Sequence, residues 1–208
     1  PLADGPTIQK AAARALEQDV SLRVVIDLVR RIRKVSQVPI IFMSYYNPVF
    51  KYGEEKFVTD AVKAGVDGII VPDLPPEEAG SLTVFAKRKG LDTIFLLAPT
   101  SDEDRIKTVC SSSTGFVYYV SLTGVTGTRE GLSKDIKGMV RRIKIHTKNP
   151  VAVGFGISRP EQTREISSWA DGVIVGSAIV KVIEENIGKK TMPKKVHDFV
   201  KSLKDGMR

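Results

Sequence analysis

Cysteine is all but absent from this chain. Cys110 stands alone among 208 residues, which excludes an internal disulfide and any metal site built from several thiolates. A catalytic thiol wants a histidine or another cation beside it. Cys110 lies instead in Ile106-Lys107-Thr108-Val109-Cys110, a helix-face pattern, and reads as buried filler. So few thiols suit a reducing compartment, the cytosol or an organelle stroma. Also lacking is any apolar run near the roughly 18 residues that suggest a membrane span. No N-terminal stretch has the charged, apolar and small-residue order of a signal peptide. The chain opens Pro1-Leu2-Ala3-Asp4 without an initiator methionine, so we expect a start that is processed or missing. Histidine is scarce: His146 and His197 fall on expected helix faces far from strand ends, where a structural role fits both. The single tryptophan, Trp169, precedes Ala170-Asp171-Gly172 and reads as packing between helix and sheet.

Cations exceed anions by 32 to 24, a formal charge of +8. Part of the surplus clusters in Arg30-Arg31-Ile32-Arg33-Lys34, in Arg141-Arg142-Ile143-Lys144 and around Lys189-Lys190 and Lys194-Lys195. No aromatic residues are interleaved for base stacking, so these are solvated helix faces rather than a nucleic-acid surface. The balance does favour approach of an anionic, phosphorylated substrate. Hydrophobic content of 42% and charged content of 27% are ordinary for a globular domain. The length suits one good-sized core, so a single domain over 1–208 is expected.

Six short apolar runs read as strands: 39–44, 68–71, 93–97, 116–120, 151–155 and 172–175. They are continuous rather than alternating, as in parallel strands buried on both faces. Helical patterns at 6–17, 22–35, 54–64, 76–89, 102–110, 134–146 and 160–168 precede or separate them. Carboxylates in Asp102-Glu103-Asp104-Arg105, and Pro160 after Ser158-Arg159, mark helix starts. Gly65 and Gly90 mark helix exits. The segments Ala64-Gly65-Val66-Asp67-Gly68-Ile69-Ile70-Val71 and Trp169-Ala170-Asp171-Gly172-Val173-Ile174-Val175 resemble each other, a weak repeat of βα type. Right-handed crossovers leave an open doubly wound sheet or a barrel. Short helices, and glycine-rich turns after the late strands, favour a (β/α)8 barrel. A complete one needs about 250 residues, so the first two strands are expected to be missing from this chain.

Barrel chemistry gathers at the C-terminal ends of strands. Two late turns read clearly: Gly154-Phe155-Gly156-Ile157-Ser158, and Gly176-Ser177-Ala178-Ile179-Val180. Glycine lets backbone approach a ligand, and the free N–H groups of the helix opened by Gly176-Ser177 favour a dianion. A phosphate is expected there, although glycine after a strand can simply make a tight turn. The segment from Leu122 to Gly131, rich in glycine and threonine with almost no apolar anchor, suits a closing lid or an ordinary surface loop. Asp4, in Pro1-Leu2-Ala3-Asp4-Gly5-Pro6-Thr7, could cap the following helix, and Tyr118 could be plain strand packing.

With Tyr45-Tyr46-Asn47-Pro48 after one strand, Asp73-Leu74-Pro75 after the next and Thr123-Gly124-Val125-Thr126-Gly127 in the loop, the chain closely resembles the tryptophan synthase α-subunit family along essentially its whole length. The Pro-Leu-Ala-Asp-Gly-Pro and Thr-Gly-Val-Thr-Gly pair is particular to that family. The resemblance implies retro-aldol cleavage of indole-3-glycerol phosphate to indole and glyceraldehyde 3-phosphate, with no metal or organic cofactor in this subunit. Indole then passes to a β subunit carrying pyridoxal phosphate, in an α2β2 complex. Asp4 is the implied catalytic aspartate on the indole N–H, Tyr118 the active-site tyrosine, and Thr126 the lid residue that closes onto Asp4. Gly127, Gly156, Gly176 and Ser177 are the implied phosphate binders. Phe155, Ile8, Met43, Ile70 and Leu96 are the implied apolar lining. Pro1, Asn47, Asp73 and Pro75 lie on loops that would meet the β subunit.

One departure matters. The family's general acid–base glutamate belongs at the end of the second strand, before this chain begins. Most glutamates here lie on expected helices, Glu130 in the lid, and none at a strand end. Losing a positioned proton donor costs about 10²–10⁴-fold in rate, so the 208-residue chain itself is expected to be inactive. Two other readings share the motifs: a stand-alone indole-releasing lyase, and a non-catalytic phosphate-ligand module that activates the β subunit.

Overall fold

Where helices begin and end follows from local chemistry. The computed structural model describes residues 4–121, 129–154 and 156–207. Helix α1 (Pro6–Leu16) starts with proline in its first turn, where a missing N–H costs nothing. Helix α2 (Leu22–Ile32) buries Ile26 and Val29. Strand β1 (Ile41–Met43) is followed by a short helix α3 (Tyr46–Tyr52) that the residue pattern did not suggest. Helix α4 (Glu54–Ala64) has Glu54 and Glu55 in its first turn, buries Phe57, Val58 and Ala61, and exits through Gly65 at φ 96°. That left-handed backbone is open to glycine at little cost.

Strand β2 (Gly68–Ile70) leads into helix α5 (Gly80–Lys89), which starts later than the expected 76 because Glu78 and Ala79 donate backbone bonds to Pro75 in a turn. The expected strand 93–97 is interrupted. It forms β3 (Asp92–Ile94) and β4 (Leu96–Leu97), split at Phe95. Helix α6 (Glu103–Ser112) is capped by Asp102, whose carboxylate accepts the Arg105 N–H at 2.8 Å. Next come β5 (Val117–Val120), α7 (Arg129–His146), β6 (Val151–Gly154) and α8 (Pro160–Ser167). The chain closes with β7 (Gly172–Ile174), α9 (Ser177–Glu184) and α10 (Met192–Gly206). Helix α7 begins five residues before the expected 134, so Glu130 lies in a helix and not in a loop. Among the described residues no helix is long and apolar enough to cross a membrane.

Every pairing is parallel: β1–β2–β3, then β4–β5–β6–β7. Apart from β3, which runs on into β4, each strand is followed by helix, and two apolar layers result. On the outer layer, Ile69, Val71, Val117, Tyr119, Val151 and Val153 pack under α2, α4, α5, α6, α7 and α8. On the inner face, Ile70, Ile94 and Tyr118 form a separate cluster with Leu96, Phe116, Val120 and Ile174. A sheet with helices on one side and a packed interior on the other is barrel architecture. The inner-facing residues of β1, Ile41 at 37% and Met43 at 56%, remain exposed.

The two repeated segments do the same structural job. Asp67 donates its N–H to Ile40 O at 2.8 Å and accepts the Ile40 N–H on its carboxylate at 2.7 Å. Asp171 makes the same pair with Val151, at 3.0 and 2.9 Å. Each carboxylate also holds a cation from the helix before that strand, Arg33 at 2.6 Å and Lys144 at 2.8 Å.

Candidate functional site

At the C-terminal ends of the strands lies a cavity of about 720 Å³. Its floor is Tyr118, which is 9% exposed and belongs to the inner cluster. The ring has room because position 154 is glycine: a Cβ there would stand 2.8 Å from the Tyr118 hydroxyl and 2.8 Å from Ile174 Cβ. Burial pushes the phenol above its ordinary pKa, so at neutral pH it is an uncharged hydroxyl. Met43 from the end of β1, Leu96 from β4, and Val120 from β5 complete an apolar wall.

Two turns supply the polar rim. Gly156, after β6, has φ 70° and requires glycine. Gly176 precedes α9 with no side chain capping the helix, and a Cβ there would meet nothing within 4 Å. The first N–H groups of a helix have no intrahelical acceptor, and the first two residues of α9, Ser177 and Ala178, line the cavity. Asp4, Thr7 and Ile8 line the same cavity from the start of α1. The Asp4 carboxylate accepts the Tyr45 hydroxyl at 2.9 Å, and its carbonyl accepts Gln9 Nε2 at 2.8 Å. Asp4 therefore does not cap α1, whose N-cap is Gly5 with no side-chain bond.

Of the residues singled out in sequence, Asp4, Ile8, Met43, Leu96, Tyr118, Gly156, Gly176 and Ser177 line this one cavity. Ile70 does not. It sits beneath, 7% exposed, packed in the inner cluster. Asn47 and Asp73 are exposed and Pro75 half-buried, on the segments after β1 and β2. Pro1, Thr126, Gly127 and Phe155 lie outside the described residues.

Sequence reasoning missed Lys181 and Glu185, which also line the cavity. Their signal was present: with Ser177 they recur every four residues, one face of a helix. Among the described residues the other glutamates do not line the cavity. Glu77, in the turn before α5 and not on a helix as expected, binds Arg105 Nη1 at 2.8 and 2.7 Å. The Arg105 guanidinium holds its carboxyl below the usual range.

The residues read as structural stay apart from the cavity. Cys110 is buried among Ile106, Val109 and Ile143, and burial pushes its thiol up to about 11. His146 bonds Glu103 between α6 and α7, and exposed His197 stands 3.4 Å from Asp198. Trp169 is half-buried against the outer core. Among the described residues no cluster of three histidine, cysteine or acidic side chains could hold a metal.

The whole chain, residues 1–208, matches the family model described as tryptophan synthase alpha chain. It is 50% identical to the tryptophan synthase alpha chain of Geotalea daltonii over 207 residues, 100% of this chain and 78% of that one. Among solved structures it is similar to tryptophan synthase subunit alpha from Legionella pneumophila (TM-score 0.89, 35% identity), covering 100% of this chain and 77% of that one. It is also similar to the tryptophan synthase α2β2 complex of Pyrococcus furiosus (TM-score 0.89, 41% identity), covering 99% and 82%.

Proposed function

This chain belongs to the tryptophan synthase alpha chain family, with the (β/α)8-barrel fold of its structural relatives, and from that premise we propose that its cavity is built to cleave indole-3-glycerol phosphate into indole and glyceraldehyde 3-phosphate. The reaction is a carbon–carbon lyase step in tryptophan biosynthesis. One observation carries the proposal: a single cavity is lined by a carboxylate, Asp4, and by two glycine turns, one of them leading into an uncapped helix start.

The phosphate belongs at Gly156, Gly176 and Ser177, where the free N–H groups and dipole of α9 favour a dianion. By resemblance Gly127 is assigned to the phosphate as well, and Thr126 to the lid that closes onto Asp4. The indole ring then lies against Leu96, Met43, Ile8 and Tyr118, with Phe155 assigned to the same wall and Ile70 supporting it from below. Asp4 receives the ring N–H. Protonation at indole C3 turns the ring into an iminium-like tautomer, and the Asp4 carboxylate stabilises the positive charge on nitrogen. Removal of the proton from the adjacent side-chain hydroxyl breaks the carbon–carbon bond, and the electron pair restores the aromatic ring as indole leaves. Neither step calls for a metal or organic cofactor in this chain.

Proton transfer to carbon and from the hydroxyl needs a further group. Of the described glutamates only Glu185 lines the cavity, and none lies at a strand end. By the likeness to the α2β2 complex, the exposed segments bearing Asn47, Asp73 and Pro75, with Pro1, would meet a β subunit. That partner brings pyridoxal phosphate and receives the indole. A crystal of the chain grown with indole-3-glycerol phosphate tests the assignment. We expect the phosphate beside Gly156, Gly176 and Ser177 and the ring nitrogen on Asp4. A phosphate bound anywhere else overturns it.

A further inference from the structure

Tyr45 touches Asp4 without lining the cavity. Its hydroxyl donates to Asp4 Oδ2 at 2.9 Å, while the cavity wall contains Asp4 and not Tyr45. The next residue is held in turn. Asp73, on the segment after β2, accepts the Tyr46 N–H at 2.9 Å, so an anion sits on the first turn of α3, where the helix leaves N–H groups unsatisfied. The Tyr46 side chain is fixed as well: its hydroxyl donates to Glu54 Oε1 at 3.0 Å, Glu54 also binds the Ser81 hydroxyl of α5, and the Tyr46 ring packs at 5.7 Å from Phe50. Burial and then Glu54 raise the Tyr46 phenol above its ordinary pKa, keeping it a donor.

We propose that Asp73, Tyr46 and Tyr45 form a positioning relay for Asp4, in which Asp73 fixes the backbone that aims the Tyr45 hydroxyl. With one carboxylate oxygen engaged by Tyr45, the other is presented to a ring N–H in the cavity. Asp73 lies on one of the segments assigned to the partner surface, so the relay runs from that surface to the carboxylate of the site. Neither Tyr45 nor Asp73 is a catalytic residue; both act through Asp4. The inference rests on the functional reading above, and its test separates the two.

Calorimetric titration of the chain with indole-3-glycerol phosphate, and in parallel with glycerol 3-phosphate, supplies that test. The second ligand has the phosphate but no ring. Losing one charge-assisted hydrogen bond should weaken the indole ligand about tenfold in Tyr45→Phe and in Asp73→Ala, with glycerol 3-phosphate unchanged. Asp73→Asn, which keeps an acceptor for the Tyr46 N–H, should restore binding. The double variant should be no worse than Tyr45→Phe alone, and neither change should matter on an Asp4→Asn background. A merely loosened fold would lose both ligands alike, and that result overturns the relay, as do additive losses or unchanged binding in Tyr45→Phe. If the unsubstituted chain binds neither ligand, or Asp4→Asn leaves the indole ligand untouched, the functional reading fails and takes the relay with it.

Discussion

Gly154 has no side chain because Tyr118 occupies the place where one would go. A methyl group there would sit 2.8 Å from the Tyr118 hydroxyl and from Ile174 Cβ, so one of them would have to shift. Gly154→Ala should destabilise the fold by about 1–3 kcal/mol, the usual cost of overpacking, and tilt the cavity floor. Chemical denaturation measures the first effect and ligand titration the second; an unchanged midpoint would show that the ring moves freely. Asp171 gives a prediction in pH. Burial works against its charge, yet the Lys144 ammonium and the Val151 N–H hold its carboxyl below the ordinary aspartate value of 3.8. The unfolded chain therefore binds this proton more readily. The stabilisation is complete above the ordinary value and is lost as pH falls through the folded one. Asp171→Asn should lower the denaturation midpoint at about pH 6 and narrow the gap to the parent at about pH 3. A gap that widens on acidification would reverse the assignment. Much at this scale was legible. Cys110 in a helix-face pattern read as filler, and the structure buries it. Asp4 was ambiguous, since an aspartate before a helix reads as a cap; only the distant Tyr45 hydroxyl shows where its side chain goes.

Elements were legible where their signals are local. Helix α4 matched its expected bounds because its acidic first turn, apolar face and exit glycine all lie within a dozen consecutive residues. The repeat around Asp67 and Asp171 was visible as words, and its content emerged as a shared pairing to the start of the preceding strand. What the pattern concealed depends on residues far along the chain. Helix α3 is capped by Asp73, 27 positions on. The break at Phe95 arises because neighbouring hydroxyls replace strand partners: Thr114 Oγ1 accepts the Thr93 N–H at 3.0 Å, and Ser113 Oγ accepts the Phe95 N–H at 3.3 Å. Ser113 is 4% exposed, so its hydroxyl is the partner of a buried donor. Ser113→Ala should cost about 1–3 kcal/mol, the penalty for leaving such a group unmade. Ser111→Ala on the exposed face of α6 should stay within about 0.5 kcal/mol. Equal effects on the urea midpoint would mean that the interruption has another cause.

For the molecule as a whole, the barrel plan explains how residues as distant as Asp4 and Ser177 share a cavity. Parallel strands point their C-terminal ends one way, so the ends of β1, β4 and β5 converge with the turns after β6 and β7, and α1 brings Asp4 to them by packing on α9 through Arg14 and Glu184 at 3.0 Å. Binding and turnover are separable in that arrangement. On the proposed function, binding would draw on the helix start, the glycine turns, the apolar wall and Asp4, all of which line the cavity. Turnover would need in addition a group that gives a proton to indole C3 and takes one from the side-chain hydroxyl. Among the described residues the glutamate at the cavity is Glu185, which is exposed, stands 4.0 Å from the Lys181 ammonium and lies at the end of α9 rather than at a strand end. We therefore expect the 208-residue chain to bind indole-3-glycerol phosphate yet release indole about 10²–10⁴-fold more slowly than the Geotalea daltonii relative, the deficit that a missing general acid–base group brings. A stopped assay of indole, run with and without β subunit, decides the matter. If the two proteins turn over equally, Glu185→Gln is the next variant to make: its failure would identify the proton donor, and its survival would remove Glu185 from the mechanism.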